Sequence, residues 1–361
     1  MKKIVTVIGA RPQFIKAAPV SRALAGITGI TEIIVHTGQH YDPLMSGVFF
    51  KELEIPEPAR NLEVGSGTHA AQTGEIMIRL DDVLQREKPD IVLIYGDTNS
   101  TLAAALTAVK LHIPVAHVEA GLRSFNREMP EEINRIVADR LSTLLFSPTK
   151  AGVDNLKNEG IVDNVFHTGD VMFDVALWAA ARAGRISTVL SDNKLAPKRF
   201  ILATIHRQEN TDDEARLRTI LTALGALNAT MKIVLPLHPR TEKMLKQFGL
   251  WDLTKNISVI PPVGFLDMVD LERNAALILT DSGGVQKEAY FHRVPCVTVR
   301  AQTEWVETVE AGWNVLVDAT QAGRIVSGAE SMLNYAGKRR DISEYGDGNA
   351  ADKIAGLIQN T

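Results

Sequence analysis

The chain has 361 residues, of which 45% are hydrophobic and 23% charged, and its formal net charge is −4 at neutral pH. This length corresponds to two or three domains of about 150 residues each, and the composition excludes a disordered or membrane-embedded chain. The mild acidic excess, without any basic block, removes the electrostatic basis for general nucleic-acid binding.

Two further features restrict where the protein works and what it binds. Cys296 is the single cysteine, which excludes an internal disulfide and a thiolate metal cluster. The first residues reach Arg11 before any apolar segment long enough for a signal peptide, and no apolar run approaches the roughly 18 residues of a membrane span. We therefore expect a cytoplasmic protein that binds neither membranes nor nucleic acid.

In chain order, short β-branched segments alternate with longer helical patterns, which predicts parallel βαβ units. Helical patterns in the first half include residues 73–87 and 101–111. The predicted strands there form one doubly wound sheet and cover residues 3–9, 32–37, 91–95, 114–118, 144–146 and 165–168.

A second α/β domain is predicted after residues 184–199, which have no sustained periodicity and are interpreted as a linker. The domains are then residues 1–183 and 200–361, with the option that the last helix packs back on the first domain. The fold class is α/β, with two Rossmann-like doubly wound domains. Predicted strands of the second domain are residues 200–205, 232–235, 257–260, 277–280 and 295–299.

Polar residues follow several of these strands directly. Ligands of open parallel sheets bind beyond the carboxyl ends of the strands, so these positions are the candidates for a site. They are Gly9-Ala10-Arg11-Pro12, Gly96-Asp97-Thr98-Asn99, Glu119, His206-Arg207 and Asp281-Ser282-Gly283-Gly284.

Two of these segments are compatible with phosphate binding. Ser282, Gly283 and Gly284 run from a strand into a helix, where free backbone N–H groups favour an anion. A tight turn in which the glycines only permit a backbone angle explains the same residues. Arg11 and Lys16 are able to neutralise phosphate charge, and an ordinary solvated pair fits the local sequence equally well.

Three carboxylates are candidates for proton transfer. Asp97 and Glu119 follow strands, and Glu131 stands near the start of a helix. Neighbouring acids shift one another's pKa values in opposite directions, which acid/base chemistry on a weak carbon acid requires. His206 is either a structural histidine or a site residue, and its position at the start of the second domain favours the site.

The helix that Pro130 opens carries two acids in its first turn, Glu131 and Glu132. The helix dipole alone favours acids there, so helix-end electrostatics explains one of the two. Arg135 lies one turn after Glu131, and we expect it to hold the Glu131 carboxylate in position.

Several common sites lack their sequence motifs. The chain contains no HExxH, no Walker GxxxxGK[ST] and no Asp-x-Asp pair, and no tyrosine has a lysine four residues later. A glycine-containing segment at residues 65–70 formally resembles a dinucleotide fingerprint, but no convincing strand precedes it. Zinc protease, P-loop, metal-bridged sugar-nucleotide and short-chain NAD-dependent enzymes are therefore disfavoured.

Eight motifs together resemble the non-hydrolysing UDP-N-acetylglucosamine 2-epimerase family, in its order and over nearly the whole chain. The resemblance implies the glycosyltransferase B architecture, with two Rossmann-like domains facing across a cleft, and a homodimer. The motifs are GARPQFIK (9–16), TGQHYD (37–42), GDTNS (96–100), HVEAGLRS (117–124), PEEINR (130–135), HRQEN (206–210), DSGGVQKEA (281–289) and TEWVE (303–307).

The resemblance also implies a reaction that uses no metal and no other cofactor. UDP-GlcNAc and UDP-ManNAc interconvert when the proton at carbon 2 is removed and UDP is expelled, which leaves a 2-acetamidoglucal. Reprotonation on the other face and re-addition of UDP complete the inversion.

Site residues are carried over motif by motif from the resemblance. Asp97, Glu119 and Glu131 match the catalytic acids and His206 the catalytic or UDP-contacting histidine, while the identity of the first base is left open. Glu288 is expected to hold the ribose hydroxyls. The residues expected to bind the UDP-sugar are Arg11, Lys16, Arg135, Ser282, Gly283, Gly284 and Glu288.

Two departures from the family pattern concern the substrate and its regulation. Many members have TERPE where this chain has TEWVE. Together with GARPQFIK, HPRT (238–241) and QKEA (286–289), this segment looks more like the branch acting on UDP-2,3-diacetamido-2,3-dideoxy-glucuronate. The resemblance implies that bacterial members bind a second, activating UDP-GlcNAc through a QHRQ-type segment. Residues 39–42 replace the last glutamine of that segment with Asp42, so activation by substrate is not expected. A glycosyltransferase of the same architecture and a nucleotide-sugar-binding regulator without turnover are weaker alternatives.

Overall fold

A computed structural model describes residues 1–39 and 52–361. The chain divides into two compact units, one formed by Met1–Val175 with Ser343–Thr361 and the other by Ala176–Ile342. Each unit is built on its own parallel sheet. Residues 40–42, in the segment compared above with the family's QHRQ-type segment, lie outside the described residues.

The first unit contains a seven-stranded sheet in the order β3-β2-β1-β4-β5-β6-β7. Each described strand pairing in it is parallel. The central strand β4 is a continuous, fully buried apolar run, as expected for a parallel strand covered on both faces. The strands are β1 (Lys2–Ile8), β2 (Ile30–His36), β3 (Arg60–Asn61), β4 (Ile91–Tyr95), β5 (Val115–Val118), β6 (Leu144–Ser147) and β7 (Val165–His167).

The helices of the first unit begin at side-chain caps in three cases. Thr68, Thr98 and Thr149 each accept a hydrogen bond from the backbone N–H three residues later, which satisfies a free donor of the first turn. In the described part of the chain, the helices before the division are α1 (Arg11–Ala25), α2 (His69–Glu87), α3 (Asn99–Lys110), α4 (Pro130–Leu141) and α5 (Lys150–Asn158).

The second unit contains a six-stranded parallel sheet in the order β10-β9-β8-β11-β12-β13. Its strands are β8 (Phe200–Thr204), β9 (Lys232–Pro236), β10 (Ser258–Ile260), β11 (Leu277–Thr280), β12 (Cys296–Thr298) and β13 (Asn314–Leu316). Its helices after α6 (Val171–Ile186) are α7 (Val189–Asp192), α8 (Gln208–Thr211), α9 (Glu214–Asn228), α10 (Pro239–Gln247), α11 (Phe265–Asn274), α12 (Gly283–Phe291), α13 (Val306–Glu310) and α14 (Ala322–Leu333), with a 3₁₀ turn at Trp251–Thr254.

Both sheets have the doubly wound strand order, which reverses between β1 and β4 in the first and between β8 and β11 in the second. The loops after these strands flank a crevice at the carboxyl edge of the sheet, where such folds bind ligands. Four of the predicted site segments occupy these loops. Each unit therefore presents candidate residues at its own switch point.

The division between the units falls within α6, before the predicted linker at 184–199. That segment belongs to the second unit because Val189 and Leu195 are buried in one apolar cluster with Phe200 and Leu202 of β8. The weak periodicity of the segment reflects short helical turns packed on a core, and the division between the two compact units lies earlier in the chain than the interpreted linker.

The last helix, α15 (Ala350–Asn360), packs in the first unit and buries Ile354 and Ile358. The carboxylate of Asp174 accepts hydrogen bonds from the backbone N–H groups of Ala350 and Ala351 at 3.2 and 2.7 Å. An acid at the first turn of a helix satisfies free donors and complements the helix dipole. The chain thus returns to the first unit through a buried helix cap.

The buried carboxyl group of Asp174 is expected to make the free energy of unfolding depend measurably on pH. Burial, with Asp170 and Asp352 nearby, raises its pKa from 3.8 to about 6. The folded protein therefore binds this proton more tightly than the unfolded chain, and stability gained below pH 6 is lost as the pH rises through 6. The contribution between pH 8 and pH 5 is about 1.4 kcal/mol.

Denaturant unfolding of the wild type and Asp174→Asn at both pH values measures this contribution. We expect the wild-type free energy of unfolding, minus that of the variant, to increase by about 1.4 kcal/mol on going from pH 8 to pH 5. Asp154→Asn, on the exposed face of α5, is the control. An equal difference at the two pH values would show that the Asp174 carboxyl is not desolvated.

Candidate active site

The loop after β1 is fixed by a close approach and a buried glutamine. A Cβ at Gly9 would lie 1.9 Å from Thr37 Oγ1, so only glycine fits there. Gln13 Oε1 accepts from the N–H groups of Gly9 and Ala10 at 2.8 and 3.1 Å, and its Nε2 donates to the Tyr95 carbonyl at the end of β4. These contacts tie the loops after β1 and β4 together.

Lys16 and Glu119 form an ion pair at the carboxyl edge of the first sheet. Lys16 Nζ lies 2.6 Å from Glu119 Oε1, with side-chain exposures of only 14% and 11%. Burial acts to lower the pKa of Lys16, but the neighbouring carboxylates Glu119, Asp97 and Asp170 outweigh it and the pKa is raised. Lys16 is therefore a fixed cation among the acids that the sequence predicted.

Glu119 has a backbone φ of +73°, in the left-handed region that residues with a side chain rarely adopt. Such strain persists where the surrounding structure enforces it and is concentrated at functional sites. The N–H of Glu119 donates to the Phe146 carbonyl at 3.0 Å, which holds the residue in this conformation. The carboxylate is thus presented by a rigid turn.

Asp97 is held on both its side chain and its backbone by α4. Arg135 Nη2 donates to Asp97 Oδ2 at 2.5 Å, and Asn134 Nδ2 donates to the Asp97 carbonyl at 2.9 Å. The carboxylate remains about one-third exposed and accessible to a ligand. Lys16, Glu119, Asp97 and Arg135 are thus brought to the carboxyl edge of one sheet. Asp97 and Glu119 follow strands that end at this edge, while Lys16 and Arg135 reach it from α1 and α4.

Arg135 does not hold Glu131, which corrects the sequence-based expectation. Its Nη1 donates to Glu132 Oε2 at 2.9 Å, while Glu131 is exposed. Glu132 also accepts from Ser124 and from the Phe125 N–H. Burial acts to raise the pKa of Glu132, but these donors and Arg135 outweigh it and lower the pKa. Glu132 is a structural acid, and Glu131 is left available to a ligand.

In the second unit, Asp281 organises the loop after β8. It is fully buried, and its carboxylate accepts from the backbone N–H groups of His206 and Arg207 at 3.0 to 3.1 Å and from Asn210 Nδ2 at 3.1 Å. His206 itself is partly exposed, with its ring 5.2 Å from the ring of His238. The loop therefore presents an imidazole and a guanidinium from a fixed backbone.

Helix α12 begins directly after Ser282, so its free N–H groups and dipole favour an anion at this turn. A Cβ at Gly283 would lie 3.4 Å from Arg207 Nη2 and 4.0 Å from Trp305 Nε1. Both side chains therefore border the turn. A helix terminus next to a guanidinium is an arrangement that binds phosphate.

The TEWVE segment is fixed against this turn. Thr303 Oγ1 donates to Gln286 Oε1 at 2.6 Å, and Lys287 Nζ lies 3.9 Å from the centre of the Trp305 ring. Arg300 pairs with both oxygens of Glu304 at 3.0 and 3.1 Å. Burial acts to raise the pKa of Glu304, but Arg300 and Arg207 outweigh it and lower the pKa. The aromatic departure from the family pattern thus lies beside the candidate phosphate site.

Glu288, on α12, has a second carboxyl group behind it. Glu272, on α11, is buried, and among the described residues neither of its oxygens receives an N–H or O–H donor. Burial, followed by the charge of Glu288 and a hydrogen bond with it, raises the pKa of Glu272 well above its usual value. A buried carboxyl group with a raised pKa thus lies directly behind Glu288.

Comparison with known proteins decides the family. The sequence profile described as UDP-N-acetylglucosamine 2-epimerase matches residues 22–359. The chain belongs to this family. Its members are isomerases, and the family resemblance read from the eight motifs is confirmed. Among the described residues, no helix combines the length and apolar character needed to cross a membrane.

Relatives of this epimerase family are similar over their full length. The chain is 50% identical to a UDP-N-acetylglucosamine 2-epimerase homolog of Methanococcus maripaludis, with 99% of each chain covered. It is 51% identical to the UDP-2,3-diacetamido-2,3-dideoxy-D-glucuronate 2-epimerase of Pseudomonas aeruginosa, with 98% of each covered.

Solved structures of the epimerase family confirm the predicted fold class. The UDP-GlcNAc 2-epimerase of Methanocaldococcus jannaschii, in complex with UDP-GlcNAc and UDP, has a TM-score of 0.87 at 44% identity and covers 99% of this chain and 100% of its own. The Neisseria meningitidis enzyme bound to UDP-GlcNAc has a TM-score of 0.87 at 32% identity, with 99% and 100% covered.

Proposed function

We propose that the protein interconverts UDP-GlcNAc and UDP-ManNAc by elimination and re-addition of UDP. The observation that carries this proposal is the Lys16–Glu119 pair beside Asp97 at the switch point of the first sheet. Two related epimerases whose structures contain UDP-GlcNAc support the substrate class.

In the proposed reaction, one carboxylate among Asp97, Glu119 and Glu131 removes the proton from carbon 2 of the sugar. The C–H electron pair forms the C1–C2 double bond, and the C1–O bond breaks with its electrons on UDP. A protonated acid then returns a proton to the opposite face of carbon 2, and UDP adds to carbon 1. Several acids near one cation allow a proton to be taken on one face and delivered on the other.

The second unit is proposed to hold the UDP. Ser282, Gly283 and Gly284 supply helix-terminal N–H groups, and Glu288 binds the ribose hydroxyls. His206 stabilises the departing diphosphate, as do Arg11 and Lys16. Fixed donors stabilise developing negative charge without reorganising during the reaction, which lowers the barrier to C1–O cleavage.

The alternative substrate is UDP-2,3-diacetamido-2,3-dideoxy-glucuronate, with the same inversion at carbon 2. It is supported by the Pseudomonas aeruginosa relative and by Trp305, which packs against Lys287 beside the turn at residues 282–284. A glycosyltransferase is less well supported, because it would leave the carboxylates near Lys16 without a task.

Proton NMR in deuterated water tests the function directly. With UDP-GlcNAc as substrate, we expect UDP-ManNAc with deuterium at carbon 2. If UDP-GlcNAc stays unchanged and unlabelled while the diacetamido-uronate is inverted and labelled, the alternative substrate is correct. Failure to label either sugar with folded protein would contradict the 2-epimerase proposal.

Arg11→Ala is expected to weaken UDP binding. Loss of a charge-assisted contact to phosphate costs about 1.5–3 kcal/mol, equivalent to a roughly 10- to 150-fold increase in Kd. Calorimetric titration with UDP measures it, with Arg86→Ala on the exposed end of α2 as the control. Unchanged affinity in the Arg11 variant would remove this residue from the phosphate site.

A further inference from the structure

His117 lies on β5 between two hydrogen-bond acceptors. The side chain is fully buried, with Nε2 2.7 Å from the Gly96 carbonyl oxygen and Nδ1 2.8 Å from Asp139 Oδ1. A neutral imidazole has one N–H donor and one lone pair. With a carbonyl oxygen on one side and a carboxyl on the other, one of the two short contacts lacks a proton unless an extra one is supplied.

The extra proton does not belong to Asp139. Its Oδ2 accepts from the Gly121 N–H at 3.1 Å and from Arg123 Nη1 at 2.7 Å. An arginine and a backbone donor both favour the ionised carboxylate. Asp139 is therefore an acceptor towards His117, and the Gly96 carbonyl is an acceptor by its chemistry.

We propose that His117 is a doubly protonated positioning residue that holds the two acid-bearing loops of the reaction in place. One N–H anchors the Gly96 carbonyl, which immediately precedes Asp97. The other N–H binds Asp139, which also anchors Gly121, two residues after Glu119. This inference rests on the proposed function for its catalytic consequence, but not for its structural one.

The charges around the ring balance within the cluster. His117 and Arg123 carry the positive charges, and Asp139 and Glu159 the negative ones. Arg123 binds Glu159 at 2.6 Å from Nε and at 2.8 Å from Nη2. Burial of an ion is tolerated when it is paired and its remaining donors and acceptors are satisfied. The four groups that meet this condition are His117 on β5, Arg123 in the loop after β5, Asp139 on α4 and Glu159 at the end of α5.

Removal of the Nε2 proton would place a lone pair 2.7 Å from the lone pairs of the Gly96 carbonyl. The contact would become repulsive and the turn carrying Asp97 would shift. A displacement of about 1 Å in a reacting group lowers turnover by roughly 100-fold. The protonated ring thus fixes catalytic geometry without touching the substrate.

Neutron diffraction of the deuterated wild-type protein tests the protonation state directly, because hydrogen positions are not seen at ordinary X-ray resolution. We expect deuterium on both nitrogens of His117 at neutral pH. Density on one nitrogen only would overturn the proposal. This readout is independent of turnover, so it holds whether or not the proposed 2-epimerase activity is found.

His117→Gln and Asp139→Asn test the positioning role. Glutamine has a single donor group and so does not donate to both the Gly96 carbonyl and Asp139, and asparagine removes the charge that holds the ring proton. We expect kcat to fall about 100-fold in each, with Kd for UDP changed less than about two-fold. His112→Gln, at an exposed turn of the same unit, is the control.

Wild-type kcat in either folded variant would overturn the positioning role. Circular dichroism and thermal unfolding identify a variant that does not fold. In that case the neutron map of the wild type alone decides whether His117 carries both protons. If the wild-type protein turns over neither candidate UDP-sugar, the proposed function fails, and the neutron result still decides the protonation state of His117.

Discussion

We expect Glu119→Gln to lower kcat by about 1,000-fold or more and to leave the affinity for UDP nearly unchanged. A positioned acid or base contributes 10²- to 10⁴-fold to proton transfer, and an amide does not replace it. The amide oxygen still accepts from Lys16, so the cation keeps its partner. The loss should therefore appear in proton abstraction and not in binding.

Deuterium incorporation at carbon 2 and calorimetric titration with UDP separate the two effects. Glu87→Gln, which removes a carboxylate near Lys3 at the opposite end of the unit's strands, is the control and should keep full turnover. Undiminished deuterium exchange in the Glu119 variant would exclude this carboxylate from the mechanism.

We expect Asp281→Asn both to destabilise the second unit and to weaken UDP binding. The buried carboxylate faces two backbone N–H groups and the Asn210 amide, all donors. An asparagine would turn an NH₂ group towards one of them, and an unsatisfied buried donor costs about 1–3 kcal/mol. The same substitution releases the loop that presents His206 and Arg207.

Thermal unfolding and UDP titration measure the two consequences of Asp281→Asn. We expect a lowered Tm and a Kd for UDP increased by about ten-fold or more. Asp252→Asn is the control, since that acid pairs with Lys255 on the exposed surface of the same unit. Normal stability and affinity in the Asp281 variant would show that the loop does not depend on this carboxylate.

The sequence predicted strands best where apolar residues run continuously. The segment Ile91–Tyr95 is buried throughout, and its pattern and its place in the sheet agree. The two-residue β3 and the three-residue β13 were not predicted, because such short edge strands carry no periodic signal of their own. Their pairing is decided by the neighbouring strand.

For the site, strand-end position was a strong guide and local spacing a weak one. Lys16 and Glu119 meet because parallel strands end at one edge of the sheet. Arg135 was assigned to Glu131 at i,i+4 spacing, but it pairs instead with Glu132 at i,i+3 on the same helix and with Asp97 through a tertiary contact. Gln13 and Glu272 went unrecognised as supporting residues, since only the folded backbone brings their partners to them.

The return of α15 to the first unit affects the order in which the chain folds during synthesis. Residues 176–342 leave the ribosome as one uninterrupted segment and contain the whole second unit. The first unit must wait for Ser343–Thr361 before its surface is covered. Domains of a nascent chain commonly fold from the N-terminus onward. Here we expect the C-terminal half to complete its core first, while the first sheet remains only partly covered.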